Sequence, residues 1–462
     1  MRRKDAIQMT ARACLVLAAW CAAHSAALAQ VPAPAAAAPA LVGGYIGIAK
    51  CSSTNCHGYS EPHKEARVNQ NEAFLWENKD KHRNAFAALQ TPLARQMAER
   101  LKLGAPATEP RCIACHSPLA AEGVKDPQLV ARGVSCEVCH GPAETWLGNH
   151  LLPGATHESN VAKGMNDLKD PAKRAQVCLS CHLGNETKGR SVDHELIAAG
   201  HPDLWFDLSR HYANMPPHSR SWYADPTEAF RAWGAGQAAQ LEQHLERVAQ
   251  RARGKIWPEY AELRCAACHH TLTPPEESWR QQAGYPGRKS GNIPFNGSRF
   301  SVYRTLLSAT SPGETKELES NLTKLFDAMS RLEPNREEVA KLATQTGAIA
   351  HRSIASVSGV KYDVALAKKI FGAIVADRER IAADGERAAL QAAWALHMLV
   401  EIGRQSNAVA KSSKVDVALR ELDDHLDIPD VEDPSRFANP SNYNAPRFAE
   451  QVKNLAEAVK WN

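Results

Sequence analysis

Past residue 29 the chain has no uninterrupted apolar run approaching the ~20 residues that a membrane-spanning helix needs. That leaves no span in the mature chain. It also lacks a strong excess of one charge: Lys and Arg number 55 against 51 Asp and Glu, and the surplus of four falls to one once residues 1–29 are set aside. So even a balance excludes an electrostatic nucleic-acid binder. No Cys-x-x-Cys-Lys occurs, and the carboxyl half carries no nucleophile motif, phosphate loop or metal constellation. The apolar fraction of 44%, with 27 Gly and 27 Pro in 462 residues, belongs to an ordinary globular chain rather than a disordered or collagenous one.

The amino-terminal segment reads as an address. Arg2, Arg3, Lys4 and Arg12 precede an apolar stretch from Ala13 to Ala23, and Ala27-Leu28-Ala29 supplies a small-residue cleavage site. This is the layout of a Sec-type signal peptide, residues 1–29, and predicts export to the periplasm or beyond. An uncleaved anchor is the alternative. Residues 30–43 follow as an extended Pro/Ala-rich linker.

Of twelve cysteines, Cys14 and Cys21 leave with the signal, and the other ten form five pairs with no remainder, each followed at once by histidine. Four are Cys-x-x-Cys-His: Cys112-Cys115-His116, Cys136-Cys139-His140, Cys178-Cys181-His182 and Cys265-Cys268-His269. The fifth, Cys51 to Cys56 with His57, is stretched to four intervening residues. On a helical turn, positions i, i+3 and i+4 share a face, so two thiols can each join a porphyrin vinyl group while the histidine reaches the iron. The pattern therefore points to about five covalently attached haem c groups per chain. Zinc ribbons would need four ligands per site, leave one motif over and give no reason for the histidines. Disulfides across two-residue loops are strained and redox-active rather than structural. All five motifs lie within Cys51–His269, a density at which porphyrins replace much of the aliphatic core, and seven tryptophans fall in or beside that region.

A histidine-ligated iron transfers electrons when its other face is closed by protein and binds small molecules when it is open. Ten further histidines lie between Gln30 and Thr271, enough to close five irons. His82 shares a helical face with Phe86 and Leu89 in the stretch 71–89. His150 follows the Cys139 motif by a loop containing Trp146. His194 and His201 bracket a short helix capped by Asp193 and ended by Gly200 before Pro202. His211, His218 and His270 are further candidates, with Met215 as a soft alternative. His63, His157 and His244 read as ordinary surface or core residues.

The run Cys136-Glu-Val-Cys139-His140-Gly-Pro-Ala, the downstream His150 and the Trp76–His82 segment resemble the multihaem family typified by cytochrome c-554 and cytochrome c-prime. Asp193-His-Glu-Leu-Ile-Ala-Ala-Gly-His201-Pro202 and Trp257-Pro-Glu-Tyr-Ala through Cys265-Ala-Ala-Cys268-His269-His270 resemble a longer exported branch of it. The resemblance covers about Lys50 to Leu272. It implies a mainly α, loop-rich haem cluster with edge-to-edge packing and an electron-transfer role. His82 and His150 would be distal ligands, with His194 and His201 the others. The type member has four standard attachment sites, and the stretched Cys51 site is the departure.

From residue 311 cysteine disappears and helical periodicity sets in. Ser311-Pro312-Gly313-Glu314 reads as a capping box, and apolar faces recur over 337–354, 363–376, 386–402, 415–426 and 446–459. His397 falls on one such face and reads as a core histidine. The expected organisation is a pentahaem domain over 44–274, a connector over 275–310 and a carboxyl-terminal helical bundle over 311–462. The expected function is electron transfer between periplasmic or membrane redox protein partners. Two propionates per ferric haem turn the mature charge to roughly −4 and favour basic partner surfaces. The alternative is an oxidoreductase with one open haem acting on a small nitrogen or sulfur compound.

Overall fold

In the cysteine-rich half, helices start where a capping side chain precedes proline. Asp170 accepts from Ala172 N–H and Lys173 N–H ahead of Pro171, and Glu109 accepts from Arg111 N–H ahead of Pro110. Proline at the first helical position loses no bond there, because that N–H has no partner in the helix. The computed structural model describes residues 44–65, 68–217, 226–269, 293–424, 426 and 443–462. The expected signal peptide and the linker up to residue 43, the first part of the connector, and the candidates His218 and His270 lie outside the described residues.

The architecture is helical and loop-rich, and β-structure among the described residues is limited to isolated bridges such as Leu263 with Phe295. The elements used below are α1 (Glu72–Lys79), α2 (Pro110–His116), α3 (Cys136–His140), α4 (Pro171–His182), α5 (His194–Ala199) and α6 (Pro226–Arg253). They are followed by α7 (Pro312–Met329), α8 (Arg336–Ser358), α9 (Val364–Ala376), α10 (Glu386–Gln405), α11 (Ser413–Asp423) and α12 (Ala445–Ala458). Three of the short helices end on a motif histidine: α2 at His116, α3 at His140 and α4 at His182.

The carboxyl-terminal helices form the bundle their periodicity predicts, with Leu318, Leu322, Leu325, Phe326 and Met329 of α7 all buried. Ser311 is the N-cap of α7, but its side chain makes no capping bond, so the expected capping box is absent. One apolar core runs from Phe230 to Val459. It therefore includes α6, the 28-residue helix that precedes the last cysteine pair. Phe230, Trp233 and Leu241 of α6 face that core, while Ala232 and Ala239 pack on Ala175 and Leu179 of α4 and on Phe206. A single helix thus forms the wall between bundle and cysteine-rich half. Its glycines permit close approach: a Cβ on Gly236 would lie 2.7 Å from Leu208 Cβ.

Candidate functional site

The cysteine-rich half encloses a cavity of about 1950 Å³ in place of an aliphatic core. A single small-molecule pocket is roughly 300–1,000 Å³, so this space accommodates more than one ligand. Its wall includes the first four cysteine pairs with their histidines His57, His116, His140 and His182, and also His82, His150, His201 and His211. Trp76, Trp146 and Trp205 line it as well. The fifth pair stands apart, with Cys265 and Cys268 exposed on a 3-10 turn mounted beside the bundle.

The ten motif cysteines are free thiols. Burial and the neighbouring Cys51 thiol push Cys136 up to about 12, and burial pushes Cys178 up to about 11. Cys115 and Cys181 hydrogen-bond to one another, which sets the turns of α2 and α4 side by side. Arg190 fixes that contact, donating from Nε to Ala114 O and from a terminal nitrogen to Ser180 Oγ.

Four motif histidines each face one non-motif histidine at nearly the same separation. Ring centres lie 6.1 Å apart for His57 and His150, 6.1 Å for His82 and His182, 6.4 Å for His116 and His201, and 6.1 Å for His194 and His269. With nitrogen–metal bonds of about 2.1 Å and a ring centre roughly 1.1 Å behind each nitrogen, two imidazoles in line through one metal have centres about 6.4 Å apart. The observed pairs have the spacing of two axial ligands. Planes are near parallel in two pairs, at 20° for His57/His150 and 32° for His194/His269. They are crossed in the other two, at 87° for His82/His182 and 90° for His116/His201.

The other ring nitrogen is occupied in several cases, which fixes the tautomer and leaves Nε2 for a metal. His57 Nδ1 bonds Glu72 Oε2 at 2.8 Å, and His82 Nδ1 bonds Asp80 Oδ1 at 2.9 Å. His116 Nδ1 donates to Ala85 O and His201 Nδ1 to Pro202 O, both at 2.8 Å. The expected continuous helix over 71–89 breaks at Asp80, because that carboxylate accepts from His82 N–H as well as from its ring. The break turns His82 toward His182. Neither Glu72 nor Asp80 carries a motif signal in the sequence.

The remaining histidines divide by surroundings. His211 packs its ring 4.8 Å from that of His182, too close for a metal between them, and donates Nδ1–H to Asp207 O. Burial lowers its pKa to about 4, so it is neutral. His157 bonds Asp167 at 2.8 Å, and His244 bonds Glu262 at 3.1 Å in a buried ionic cluster. His397 is one-third exposed and pairs with Asp423 rather than sitting in the core.

The family profile of cytochrome c554 and c-prime matches residues 50–141, which include the Cys51, Cys112 and Cys136 motifs. Over that segment the chain is similar to the cytochrome c554 and c-prime family. It is similar to cytochrome c-554 of Nitrosomonas europaea, with 29% identity over 154 residues, covering 30% of this chain and 58% of that protein. The match thus spans little more than half the length of this curated relative. No solved structure matches the chain. Similarity to the cytochrome c554 family makes haem c the cofactor implied for these cysteine pairs, and the paired cysteines, facing imidazoles and apolar cavity fit it. Among the described residues, no helix is long and apolar enough to cross a membrane.

Proposed function

We propose that the chain is an exported pentahaem cytochrome that passes electrons between redox protein partners. The observation that carries this reading is the set of four imidazole pairs at the spacing of two axial ligands, each combining a motif histidine with a second one drawn from elsewhere in the chain. Haem c, when bound, supplies reversible one-electron iron chemistry. Cys51/Cys56, Cys112/Cys115, Cys136/Cys139, Cys178/Cys181 and Cys265/Cys268 would hold the porphyrins. His57, His116, His140, His182 and His269 would be proximal ligands. His150, His201, His82 and His194 would be the distal ligands opposite His57, His116, His182 and His269 in turn.

The protein's own residues favour transfer over conversion of a substrate. At these four sites two protein imidazoles on one metal would leave no coordination position for a small molecule. Trp76, Trp146 and Trp205 give the cavity apolar walls, and Nδ1 bonds to carboxylates and carbonyls hold the rings in place, so little reorganises when charge changes.

Ligand-plane angle controls the anisotropy of a low-spin ferric centre. Parallel planes separate the two iron orbitals that interact with ligand π density, and crossed planes leave them nearly equal. Electron paramagnetic resonance of the oxidised protein is expected to give rhombic signals from two centres and strongly anisotropic signals from two others. Pyridine haemochrome analysis is expected to return five haems per chain. A count of four or fewer, or a spectrum dominated by high-spin iron that shifts on adding carbon monoxide after reduction, overturns the proposal.

A further inference from the structure

The imidazole pair at the fifth cysteine motif is built from segments far apart in sequence. His194 opens α5 and His269 follows the Cys265 turn, yet their rings lie 6.1 Å apart. The His194 segment also reaches the main cavity wall, where Asp193 pairs with Arg111 at 2.6 Å. Both segments are tied to one face of α6, along which His244, Arg247 and Arg251 recur at three- and four-residue spacing.

Glu262, seven residues before His269, is the centre of the tie. Its carboxylate is 1% exposed and accepts from Arg247 Nε at 2.8 Å, Arg251 at 2.8 Å and His244 Nε2 at 3.1 Å. Burial opposes its ionisation, and the two guanidinium groups with His244 overcome this and hold it well below the usual carboxylate range. Arg251 also reaches the other segment, donating to Val192 O at 2.9 Å and Ser191 Oγ at 3.2 Å, just ahead of His194. Glu259, on the Glu262 loop, accepts His194 N–H at 2.9 Å and Ala261 N–H at 3.0 Å. Arg247 extends the same face to Leu183 O, beside His182, at 2.7 Å.

We propose that Glu262, clamped by Arg247 and Arg251, is a positioning residue that holds His194 and His269 opposite one another as the axial pair of the fifth haem. Glu262 touches neither ring; it acts through the two backbone segments. The inference rests on the haem reading above. An ion pair at this depth has a sharply defined geometry, because a buried guanidinium or carboxylate that loses its partner is costly and cannot be rescued by water. The carboxyl-terminal bundle, which shares its core with α6, then serves as the mount for this site.

The test uses the full-length holoprotein and three variants, His194→Ala, Glu262→Gln and Arg251→Lys. Haem number is read by mass, helix content by circular dichroism, and coordination by paramagnetic resonance and carbon monoxide binding after reduction. His194→Ala calibrates the site and is expected to keep five haems while about one in five becomes high-spin and binds the gas. Glu262→Gln is expected to keep five haems and native helix content, with the same rhombic signal lost or shifted and carbon monoxide uptake rising toward one haem in five. Arg251→Lys keeps the positive charge but loses the guanidinium fork that spans Glu262, Glu186 and Val192 O, and is expected to perturb the same signal in part. It decides the matter if Glu262→Gln does not accumulate. If His194→Ala leaves the spectrum unchanged, the ligand reading fails. If His194→Ala changes it while folded Glu262→Gln and Arg251→Lys do not, the ligand reading stands and the clamp is wrong.

Discussion

An imidazole whose Nδ1 proton is shared with a carboxylate is a more basic ligand than one bonded to a carbonyl, and it favours the more highly charged state of a metal. His82 and His57 have carboxylate partners in Asp80 and Glu72, while His116 and His201 bond to backbone oxygens. The centres are therefore unequal by construction. Asp80→Asn keeps the shape and a weaker acceptor, so the centre facing His182 is expected to rise in midpoint potential while the others hold. A tenfold loss of preference for the ferric state corresponds to about 59 mV, which redox titration resolves. No movement of a single centre would show that Asp80 does not tune it. At this scale the motif histidines were legible from spacing alone. Asp80 and Glu72 were not, since their role depends on where the chain folds back upon a ring.

Helix α6 shows why element boundaries were read unevenly. The bundle helices α7 to α12 present one apolar and one polar face, and their periodicity located them. In α6, Gln237, Gln240, His244, Arg247 and Arg251 are buried together with Ala232, Ala235, Ala238 and Ala239. Its exposed stripe narrows to Glu246 and Arg253 with Glu242 and Gln250 beside them, and buried polar groups on the other sides blur the apolar period. Its polar groups find partners only in the tertiary structure, as when Gln237 donates to Asp207 and to Gln391. Close packing on α6 makes two glycine substitutions diverge. Ala in place of Gly in a helix gains about 1 kcal/mol from propensity. At Gly347 the added Cβ lies 3.6 Å from Leu245, an ordinary contact, so Gly347→Ala is expected to stabilise by roughly that amount. At Gly236 the added carbon meets Leu208 Cβ at 2.7 Å, and overpacking of about 1–3 kcal/mol exceeds the gain. Chemical denaturation should separate the two in sign; equal shifts would mean that α6 and Leu208 can move apart.

For the whole molecule, the buried cluster on α6 sets a dependence on acid. Glu262 has a folded pKa below its usual value of 4.5, so it contributes stability that is complete above that value and is lost as pH falls toward the folded pKa. Protonation would leave Arg247 and Arg251 without their shared carboxylate, next to His244 and Arg299, in a region where breaking a buried pair costs about 3–5 kcal/mol. Unfolding below about pH 4.5 is expected to steepen with acidification in the wild type and to be flatter in Glu262→Gln, as followed by thermal melts across that range. Identical slopes would remove Glu262 as the source.

Motif spacing is local, and this is why the sequence by itself determined the five cysteine pairs proposed to attach haem, the histidine that follows each, the helical class and most of the bundle: two thiols and an imidazole within one or two turns need nothing from the rest of the fold. The partner of each histidine is a long-range matter. His150 faces His57 across 93 residues and His194 faces His269 across 75, distances set by packing rather than by spacing. The tertiary structure alone decided those pairings, the angles between the rings and the ionic clamp on α6, because each depends on backbone segments meeting in space after burial has fixed where they lie.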